Sequence, residues 1–396
     1  MKVKFSDVVR RANTKEDKDN TDKVFYVGGE HIDSNEVLIT KRGIIAGSTI
    51  GPMFYFGFKA GQVLFVSRNP HLRKAGMVDF DGICSEKTFV LETIDENILL
   101  QRYLPFILQS DHFWSYAESN KSGSVNFFIN WSTLAKYEFE LPSIAKQKEL
   151  SDLLWAINDT KLAYRKMLIA TDELVKSQFI ARFGNAPIDE CPWPTIVMEN
   201  AFSITSSRRI LKSEWRTEGN IPFIRVRDMV QLANKEPLTN EFYVSDEFYA
   251  SRPEDEKVIP GDIIVSATST IGKTYVIKPG ERFYFKDADV LLFRKKISIN
   301  EVFFTYGLTM PTMWDQISGG LGATTVAHFL ISKACKLKQP LPPMILQEQF
   351  AAISEQSDKS KFAALNISNL NLSHCLEIQL AILMSLIVDH SMMSRR

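Results

Sequence analysis

The chain has 396 residues, 45% hydrophobic and 24% charged, which is typical of globular proteins and argues against a disordered or fibrous one. Its 47 basic and 47 acidic residues cancel, which argues against a protein that coats nucleic acid through net charge alone. The 4 cysteines are far apart and no histidine stands at zinc-ligand spacing. We therefore expect reduced, structural cysteines and no metal site.

No run approaches the ~18 apolar residues of a membrane span, and the first residues lack the apolar core of a signal peptide. The sequence therefore predicts a cytoplasmic protein without a membrane partner. Its length predicts two or three domains.

Residues 1–140 alternate short apolar runs with turn signals, which indicates a mostly β module. The clearest helix inside it spans residues 97–113, and Pro105 is expected to kink or end it. The predicted strands lie at residues 24–27, 38–40, 53–58, 63–67 and 88–91.

Residues 143–185 predict one long helix that starts after Leu141-Pro142 with Ser143 as N-cap and stops at Gly184. At ~1.5 Å per residue it would run ~60 Å, longer than a domain core needs, so we interpret it as a strut. The alternative is an amphipathic helix packed on its own domain. With Leu150 at heptad position a, a coiled-coil-like seam follows: Leu150, Ile157, Tyr164, Thr171 and Gln178 at a, and Leu153, Thr160, Met167, Leu174 and Ala181 at d, widened by Leu154, Leu168 and Val175.

A second module opens at Trp193-Pro194 and repeats the pattern, with strands at residues 223–226, 262–266, 274–277 and 290–294 and a helix at 301–316. A second long helix begins after Pro343. Asparagines in its middle, including Asn369 and Asn371, predict an irregularity there.

The two halves are related by an internal repeat. Leu-Pro-x-x-x-x-Gln occurs at 141–147 and again at 341–347, an offset of 341 − 141 = 200. Residues 61–65 match 261–265 at the same offset, 261 − 61 = 200. The sequence therefore predicts a tandem duplication in the order module, helix, module, helix.

Residues 267–274, ATSTIGKT, approximate a phosphate-binding loop, but the residues that follow predict a strand and not the helix that such a loop needs. No nucleophile elbow, zinc-protease motif or paired-carboxylate pattern stands out. We therefore expect no catalytic residues, with a nucleotide-binding enzyme that uses Lys273 as the alternative.

Basic residues concentrate on turn-rich segments of both modules. Arginine presents a rigid donor fork to guanine edges and phosphates, so loop-borne arginine beside serine, asparagine and threonine is typical of DNA reading. For any single one of them, solvated surface is the competing explanation. The candidate DNA-binding residues are Lys41, Arg42, Arg68, Arg73 and Lys74 in the first module, and Ser207, Arg208, Arg209, Arg225, Arg227, Lys273 and Lys286 in the second.

With these motifs the chain resembles the DNA-specificity (S) subunits of type I restriction-modification systems. The resemblance rests on the duplicated Leu-Pro-x-x-x-x-Gln, on the helix end at 179–184, on residues 261–273, and on residues 64–74 with Ser85-Glu86 downstream. It implies an α+β fold: target recognition domains at 1–140 and 186–340, each followed by a spacer helix, at 141–185 and 341–396, which pair as an antiparallel coiled coil.

By the same resemblance, each recognition domain would read one half of a bipartite site in double-stranded DNA. The helices would set the spacing and dock methyltransferase (M) subunits, with restriction (R) subunits as further partners. This chain would bind no cofactor, and S-adenosylmethionine, ATP and Mg would lie on the partners. The expected partner-docking residues are Leu150, Leu154, Ile157, Leu168, Val175, Leu376, Leu380 and Leu383. A coiled-coil scaffold with no nucleic-acid role is a further alternative.

Overall fold

The computed structural model describes residues 1–184, 190–239, 241–318 and 328–368, with side chains up to residue 361. The chain divides into two compact units, Met1–Met167 in the first and Leu168–Ala363 in the second. Both are α+β, as expected. Among the described residues, no helix has the length and apolar character needed to cross a membrane.

The first unit is built on two mixed sheets, one of five strands and one of four. The sheet orders are β2-β10-β7-β8-β4 and β5-β3-β9-β6, with β1 and β11 as a separate pair. Its strands are β1 Lys2–Lys4, β2 Val9–Ala12, β3 Phe25–Val27, β4 Leu38–Ile39, β5 Gly43–Ile44, β6 Phe54–Phe58, β7 Val63–Val66, β8 Ala75–Val78, β9 Gly82–Ser85, β10 Thr88–Thr93 and β11 Glu138–Glu140. Its helices are α1 Phe5–Val8, α2 Leu104–Leu108, α3 Asp111–Ser119, α4 Trp131–Leu134 and the start of α5 Ile144–Phe183.

Strand β7 is apolar throughout because both of its faces are covered. Val63 and Phe65 belong to the core that includes the helices. Leu64 and Val66 point the other way, into the core of the second sheet. Successive side chains of a strand alternate between its faces, so a strand between two cores reads as an unbroken apolar run. The five predicted strands of this module are confirmed within one or two residues.

The helix predicted over residues 97–113 is wrong in extent. A 3₁₀ turn at Gln101–Tyr103 leads into α2, and α3 follows separately. Pro105 lies in the first turn of α2, where its missing N–H costs nothing, so it neither kinks nor ends that helix. Ser110 then caps α3 by accepting a hydrogen bond from the Phe113 amide at 3.2 Å.

The second unit repeats the sheet order as β13-β19-β16-β17, beside a smaller sheet β15-β14-β18 and the pair β12-β20. The parallel pairing of β3 with β9 recurs as β14 with β18. Its strands are β12 Thr195–Val197, β13 Phe202–Thr205, β14 Ile221–Ile224, β15 Tyr243–Val244, β16 Ile263–Ser266, β17 Thr274–Val276, β18 Tyr284–Phe285, β19 Val290–Lys295 and β20 Lys338–Pro340. Its helices are α6 Met198–Ala201, α7 Val226–Ala233, α8 Asp246–Ala250, α9 Glu301–Gly307, α10 Pro311–Ser318, α11 Ile331–Lys336 and α12 Met344–Ser368.

Two predicted elements of this unit differ from the structure. The strand expected over 223–226 ends at Ile224, and α7 begins at Val226. The helix expected over 301–316 is divided into α9 and α10, and proline again stands at the start of the second piece.

A buried glutamine explains the repeated Leu-Pro-x-x-x-x-Gln. The Gln147 side chain accepts a hydrogen bond from the Leu100 amide at 3.0 Å and donates to the Pro142 carbonyl at 2.9 Å. Gln347 makes the same two contacts, with the Asn300 amide at 3.0 Å and the Pro342 carbonyl at 2.8 Å. All three positions are offset by 200, for example 347 − 147, so the duplication extends to individual hydrogen bonds.

Helix α5 starts and stops where the sequence predicts. Ser143 Oγ accepts from the Lys146 amide at 3.4 Å, and Gly184, with a φ of 86°, donates its amide to the Ile180 carbonyl. The heptad phase is wrong. Leu153 is 41% exposed and Leu174 is 56% exposed, whereas the buried face carries Gln147, Leu150, Leu154, Asn158, Lys161, Val175, Phe179 and Phe183.

In the second unit, the end of α5 packs against the start of α12 in antiparallel order. The rings of Phe179 and Phe350 lie 5.2 Å apart, and Asp172, nearly two turns earlier on α5, pairs with Lys361, farther along α12. A coiled coil over the whole helix length stays a prediction, since the chain beyond residue 368, including the irregularity expected near Asn369, lies outside the described residues.

Candidate nucleic-acid interface

In the first unit, the loop that follows β7, residues 67–74, carries three of the candidate cations; we call it loop A. Asn69 and Arg73 both have a φ of 50°, so the chain turns sharply at each end of the 3₁₀ turn Pro70–Leu72. The Ser67 amide donates to the Lys87 carbonyl at 2.8 Å, and the Ile129 amide donates to the Ser67 carbonyl at 2.9 Å. The base of loop A is therefore fixed between two other segments.

The second unit builds the same edge with residues 267–273, which we call loop B. The Ala267 amide donates to the Asp289 carbonyl, and the Phe329 amide donates to the Ala267 carbonyl, each at 2.8 Å. Ser269 has a φ of 56°, matching Asn69 at an offset of 200. Loops A and B are thus equivalent parts of the duplicated fold.

Within loop A the three cations have different surroundings. Arg73 is paired with Asp111, and Lys74 Nζ donates to the Gly29 carbonyl at 2.6 Å. Arg68 is exposed and forms no ion pair with a described residue. Arg68 is therefore the loop A cation best able to meet a ligand.

At this edge the pKa of one acidic residue, Glu86, is lowered by its neighbours. The Lys87 ammonium, 2.6 Å from Glu86, lowers the pKa of that carboxyl group, with smaller contributions from Tyr55 and Arg68. Lys121 lies over the Phe127 ring at 4.4 Å. Sequence reasoning missed Lys87 and Lys121, because only the folded chain brings residues 87 and 127–129 against loop A.

Elsewhere in the first unit, Lys41 and Arg42 are exposed, and each contacts other side chains of the same unit. Lys41 Nζ lies 2.7 Å from Asp33. The Arg42 guanidinium stacks over the rings of Phe25 and Phe80, at 4.2 and 4.6 Å. No hydrogen bond of the structure joins either residue to loop A.

In the second unit, the turn around Asp289 brings most of the candidates together. Thr268 of loop B donates to the Asp289 carboxylate at 3.1 Å, and Lys286 pairs with the same carboxylate. Ser206 Oγ donates to the Val290 carbonyl at 3.0 Å, which holds the Ser207–Arg209 segment beside that turn. Ser207 itself is buried and donates to the Phe285 carbonyl.

Three cations of this group remain open to solvent. The side chains of Arg208, Arg209 and Lys273 are exposed, and none forms an ion pair with a described residue. Like Arg68 they are exposed cations, although the position that matches Arg68 at the offset of 200 is Thr268.

The sequence predicted Arg225 on a strand and Arg227 on the loop after it, but the structure places both at the start of a helix. Arg225 precedes the first turn of α7 and Arg227 lies in it. Arg225 contacts Asp228 at 3.3 Å and Glu241 at 3.1 Å, and Arg227 contacts Glu241 at 2.8 Å. Hydrogen bonds from Arg227 first, and then from Arg225, lower the pKa of Glu241. Both guanidinium groups thus belong to an ion-pair network within the unit.

Lys273 does not belong to a phosphate-binding loop of the nucleotide-hydrolysing kind. Loop B leads into strand β17, where such a loop requires a helix whose N-terminus faces the phosphates. The short turn is closed by Ser266, whose Oγ accepts from the Lys273 amide at 2.9 Å.

Of the five expected partner-docking residues that the structure describes, three are buried in the cores. Leu150 and Leu154 are buried in the first unit's core, against which Ile157 packs, and Val175 is buried in the second unit's core. Leu168 is half-buried. Core packing accounts for these residues, and their docking role stays a prediction. Leu376, Leu380 and Leu383 lie outside the described residues.

The sequence and the fold were compared with those of known proteins. No family model matches the chain. Over 194 residues the chain is 25% identical to the Haemophilus influenzae protein named "Putative type I restriction enzyme specificity subunit S.HindORF215P". The matched part covers 49% of this chain and 43% of that relative.

Two solved structures match nearly the whole chain. One is the type I restriction-modification S subunit from M. genitalium, with a TM-score of 0.56 and 13% identity, covering 94% of this chain and 95% of that one. The other comes from work on complex assembly and conformational transition of a type I system, with a TM-score of 0.53 and 18% identity, covering 94% and 96%. The chain shares the fold of type I specificity subunits. The resemblance expected from the sequence is thereby confirmed.

Proposed function

We propose that this chain is the DNA-specificity subunit of a type I restriction-modification complex. Each unit reads one half of a bipartite site in double-stranded DNA, loops A and B contribute to reading, and the long helices set the gap between the halves. The sequence relationship to one putative specificity subunit, and the fold shared with a second specificity subunit and with a chain of a type I system, support this proposal.

One observation carries the reading role. Two equivalent loops, held by hydrogen bonds at matching positions, each present exposed cations: Arg68 at loop A, and Lys273 with neighbouring Arg208 and Arg209 at loop B. Arginine and lysine in such loops can bind phosphates and guanine edges. A DNA site with two halves requires two recognition units, and the duplicated fold would supply one for each half.

In this proposal, partner subunits carry out the methylation and restriction reactions. Methyltransferase subunits would supply S-adenosylmethionine and modify adenine, and restriction subunits would supply the ATP- and Mg-dependent step. This chain contributes sequence recognition and assembly and no catalytic group.

The test uses the full chain together with the methyltransferase subunit encoded by the same host. Methylated adenines are mapped across the host genome with and without this chain. We expect modification at a single two-part sequence that disappears when this chain is absent. Methylation that persists without it would contradict the proposal.

Two further outcomes separate the alternatives. Absence of DNA binding by the assembled pair, measured by fluorescence anisotropy, would favour a scaffold. ATP hydrolysis by the purified chain that is lost on Lys273→Ala would favour a nucleotide-binding enzyme.

A further inference from the structure

A buried ion-pair cluster joins the first unit to helix α5. Lys161 Nζ lies 3.1 and 3.2 Å from the two carboxylate oxygens of Glu36, and Arg165 lies 2.8 Å from one of them. The side chains of Lys161 and Glu36 are 6% and 14% exposed. Charges this far from water are stable only while paired, so Glu36 must stay with its helix partners.

The cluster lies farther along α5 than Gln147 and than the contacts of Asp152 and Trp155 with Arg102, which also join the helix to the body of this unit. Gln147 is bonded to the Leu100 amide and the Ile98 carbonyl. Lys161 follows 161 − 147 = 14 residues later, ~21 Å along the helix at ~1.5 Å per residue. Attachments this far apart fix the angle between α5 and the body of the unit. Without the cluster, the polar contacts of the body with α5 would end at Trp155, and the body could pivot about the apolar contacts of Leu150 and Leu154.

Glu36 is also tied to loop A through its backbone. The Asn35 amide donates to the Arg73 carbonyl at 3.1 Å. Gln109 Nε2 donates to the Glu36 carbonyl at 3.0 Å and to the carbonyl of Ala75, the residue that follows loop A. A continuous set of hydrogen bonds and ion pairs therefore runs from α5 through Glu36 to the C-terminal end of loop A.

We infer that Glu36 is a positioning residue: with Lys161 and Arg165 it holds loop A at a fixed angle to α5 and so restricts the gap between half-sites that the complex accepts. This rests on the proposed function. A loop on a lever of roughly 20 Å needs to swing by only about 10° to move ~3.4 Å, one base-pair step. The bases read by the loop should not change, because Gln109 and Ser67 hold its local shape.

The second unit has a weaker counterpart with reversed charges. Lys235 pairs with Asp358 on α12 at 2.7 Å, and both side chains are well exposed. Exposed pairs contribute little, so this contact cannot restrict its unit as firmly. Lys235→Gln is therefore one matched control. Arg102→Gln is another, since Arg102 also joins the first unit's body to α5, through the exposed Asp152 at 2.7 Å.

The experiment maps methylated sites for the full complex that carries Glu36→Gln, which keeps the side-chain shape and removes the charge. We expect both wild-type half-sites to be retained, with modification spreading to gaps one base pair longer or shorter. The charge exchange Glu36→Lys with Lys161→Glu and Arg165→Glu should return the wild-type gap, which a general loss of stability would not. Both controls should keep the wild-type gap. A single unchanged gap in Glu36→Gln would overturn the inference.

A second readout does not depend on methylation. Hydrogen exchange of the full chain should show faster exchange of the Asn35 amide in Glu36→Gln than in the wild type, and unchanged exchange would overturn the coupling. If Glu36→Gln does not accumulate, Arg165→Gln, which removes the more exposed member, is read by the same two criteria. Absence of methylation by the wild-type complex would instead overturn the proposed function, so the two failures are distinguishable.

Discussion

At the scale of single residues, two buried glutamines show what the repeated entry motif contributes. Gln147 and Gln347 each satisfy a backbone amide at the start of a neighbouring helical segment and the carbonyl of the preceding proline. Both side chains are fully buried. Leu-Pro-x-x-x-x-Gln is thus a structural attachment of helix to module.

Gln147→Leu should therefore destabilise the first unit. It leaves the Leu100 amide without its acceptor, and an unsatisfied buried donor costs about 1–3 kcal/mol. Urea unfolding followed by circular dichroism measures the change. Lys148→Ala, at an exposed neighbouring position of the same helix, is the control and should change stability by less than ~0.5 kcal/mol. Equal effects of the two substitutions would mean that the buried hydrogen bonds contribute nothing.

Cys84 provides a pH-dependent prediction. Burial raises the pKa of its thiol to about 12, and Arg11 opposes this only weakly. Since the thiolate is the reactive form, Cys84 should resist alkylation by iodoacetamide at pH 8, whereas the half-buried Cys191 should react. Peptide mass spectrometry distinguishes them. Labelling of Cys84 at the rate of Cys191 in the folded protein would contradict its burial.

The exposed cations of the two loops should act on separate half-sites. Arg68→Ala should relax base preference or weaken binding at one half, and Lys273→Ala at the other. A lost bidentate base contact costs about 1–3 kcal/mol, and a lost phosphate contact lowers the salt dependence of binding by about one ion. Methylated-site mapping and salt titrations of DNA binding measure both. Equal loss of preference at both halves after either substitution would argue against modular reading.

Arg225→Ala serves as the comparison for those substitutions. Its guanidinium is already paired with Asp228 and Glu241, so we expect a loss of stability in the second unit with half-site preference retained. The sequence could not show that Arg225 is ion-paired whereas Lys273 is exposed. Glu241, one partner of Arg225, and Asp111, the partner of Arg73, are distant in the chain, and Asp228 meets Arg225 only across a helix turn. Ion pairing depends on tertiary structure that no short motif encodes.

At the scale of elements, the strands were predictable and the helix boundaries were less so. Strands such as β7 and β16 are bounded by turn residues and buried on both faces, which gives them short apolar runs. Pro105 was expected to kink or end a helix, and the helix predicted over 301–316 ran through Pro311, yet both prolines stand where a helix begins. Helix α7 was missed because Val226, its first residue, was assigned to the preceding strand.

The heptad assignment failed for a physical reason. Leu153 and Leu174 are apolar and exposed, whereas polar Gln147 and Lys161 are buried on the face that meets the first unit. Buried hydrogen bonds and ion pairs replace apolar contacts at those positions, so hydrophobic periodicity finds Leu150, Leu154 and Val175 of the buried face and misses its polar members. Gln147, Leu154, Lys161 and Val175 stand at multiples of seven residues from one another, so the buried face keeps a heptad spacing in a different phase.

At the scale of the whole molecule, the duplication was the most informative feature of the sequence. One offset of 200 predicted two units of similar construction, and it holds for strand order, loop geometry and individual hydrogen bonds. Helix α5 begins in the first unit and ends in the second. Its length between the two sets of contacts is therefore the quantity that a spacing function would use.

The most direct test changes that length. Four helical residues inserted after Ile169 lie between Arg165, which contacts Glu36, and Asp172, which contacts Lys361, so both sets of contacts are left intact. Four residues are close to one turn and add ~6 Å, while DNA rises ~3.4 Å per base pair. Sequencing of methylated sites from cells with the altered complex should show unchanged half-sites separated by a gap one or two base pairs longer. Altered half-site bases with the original gap would contradict the account.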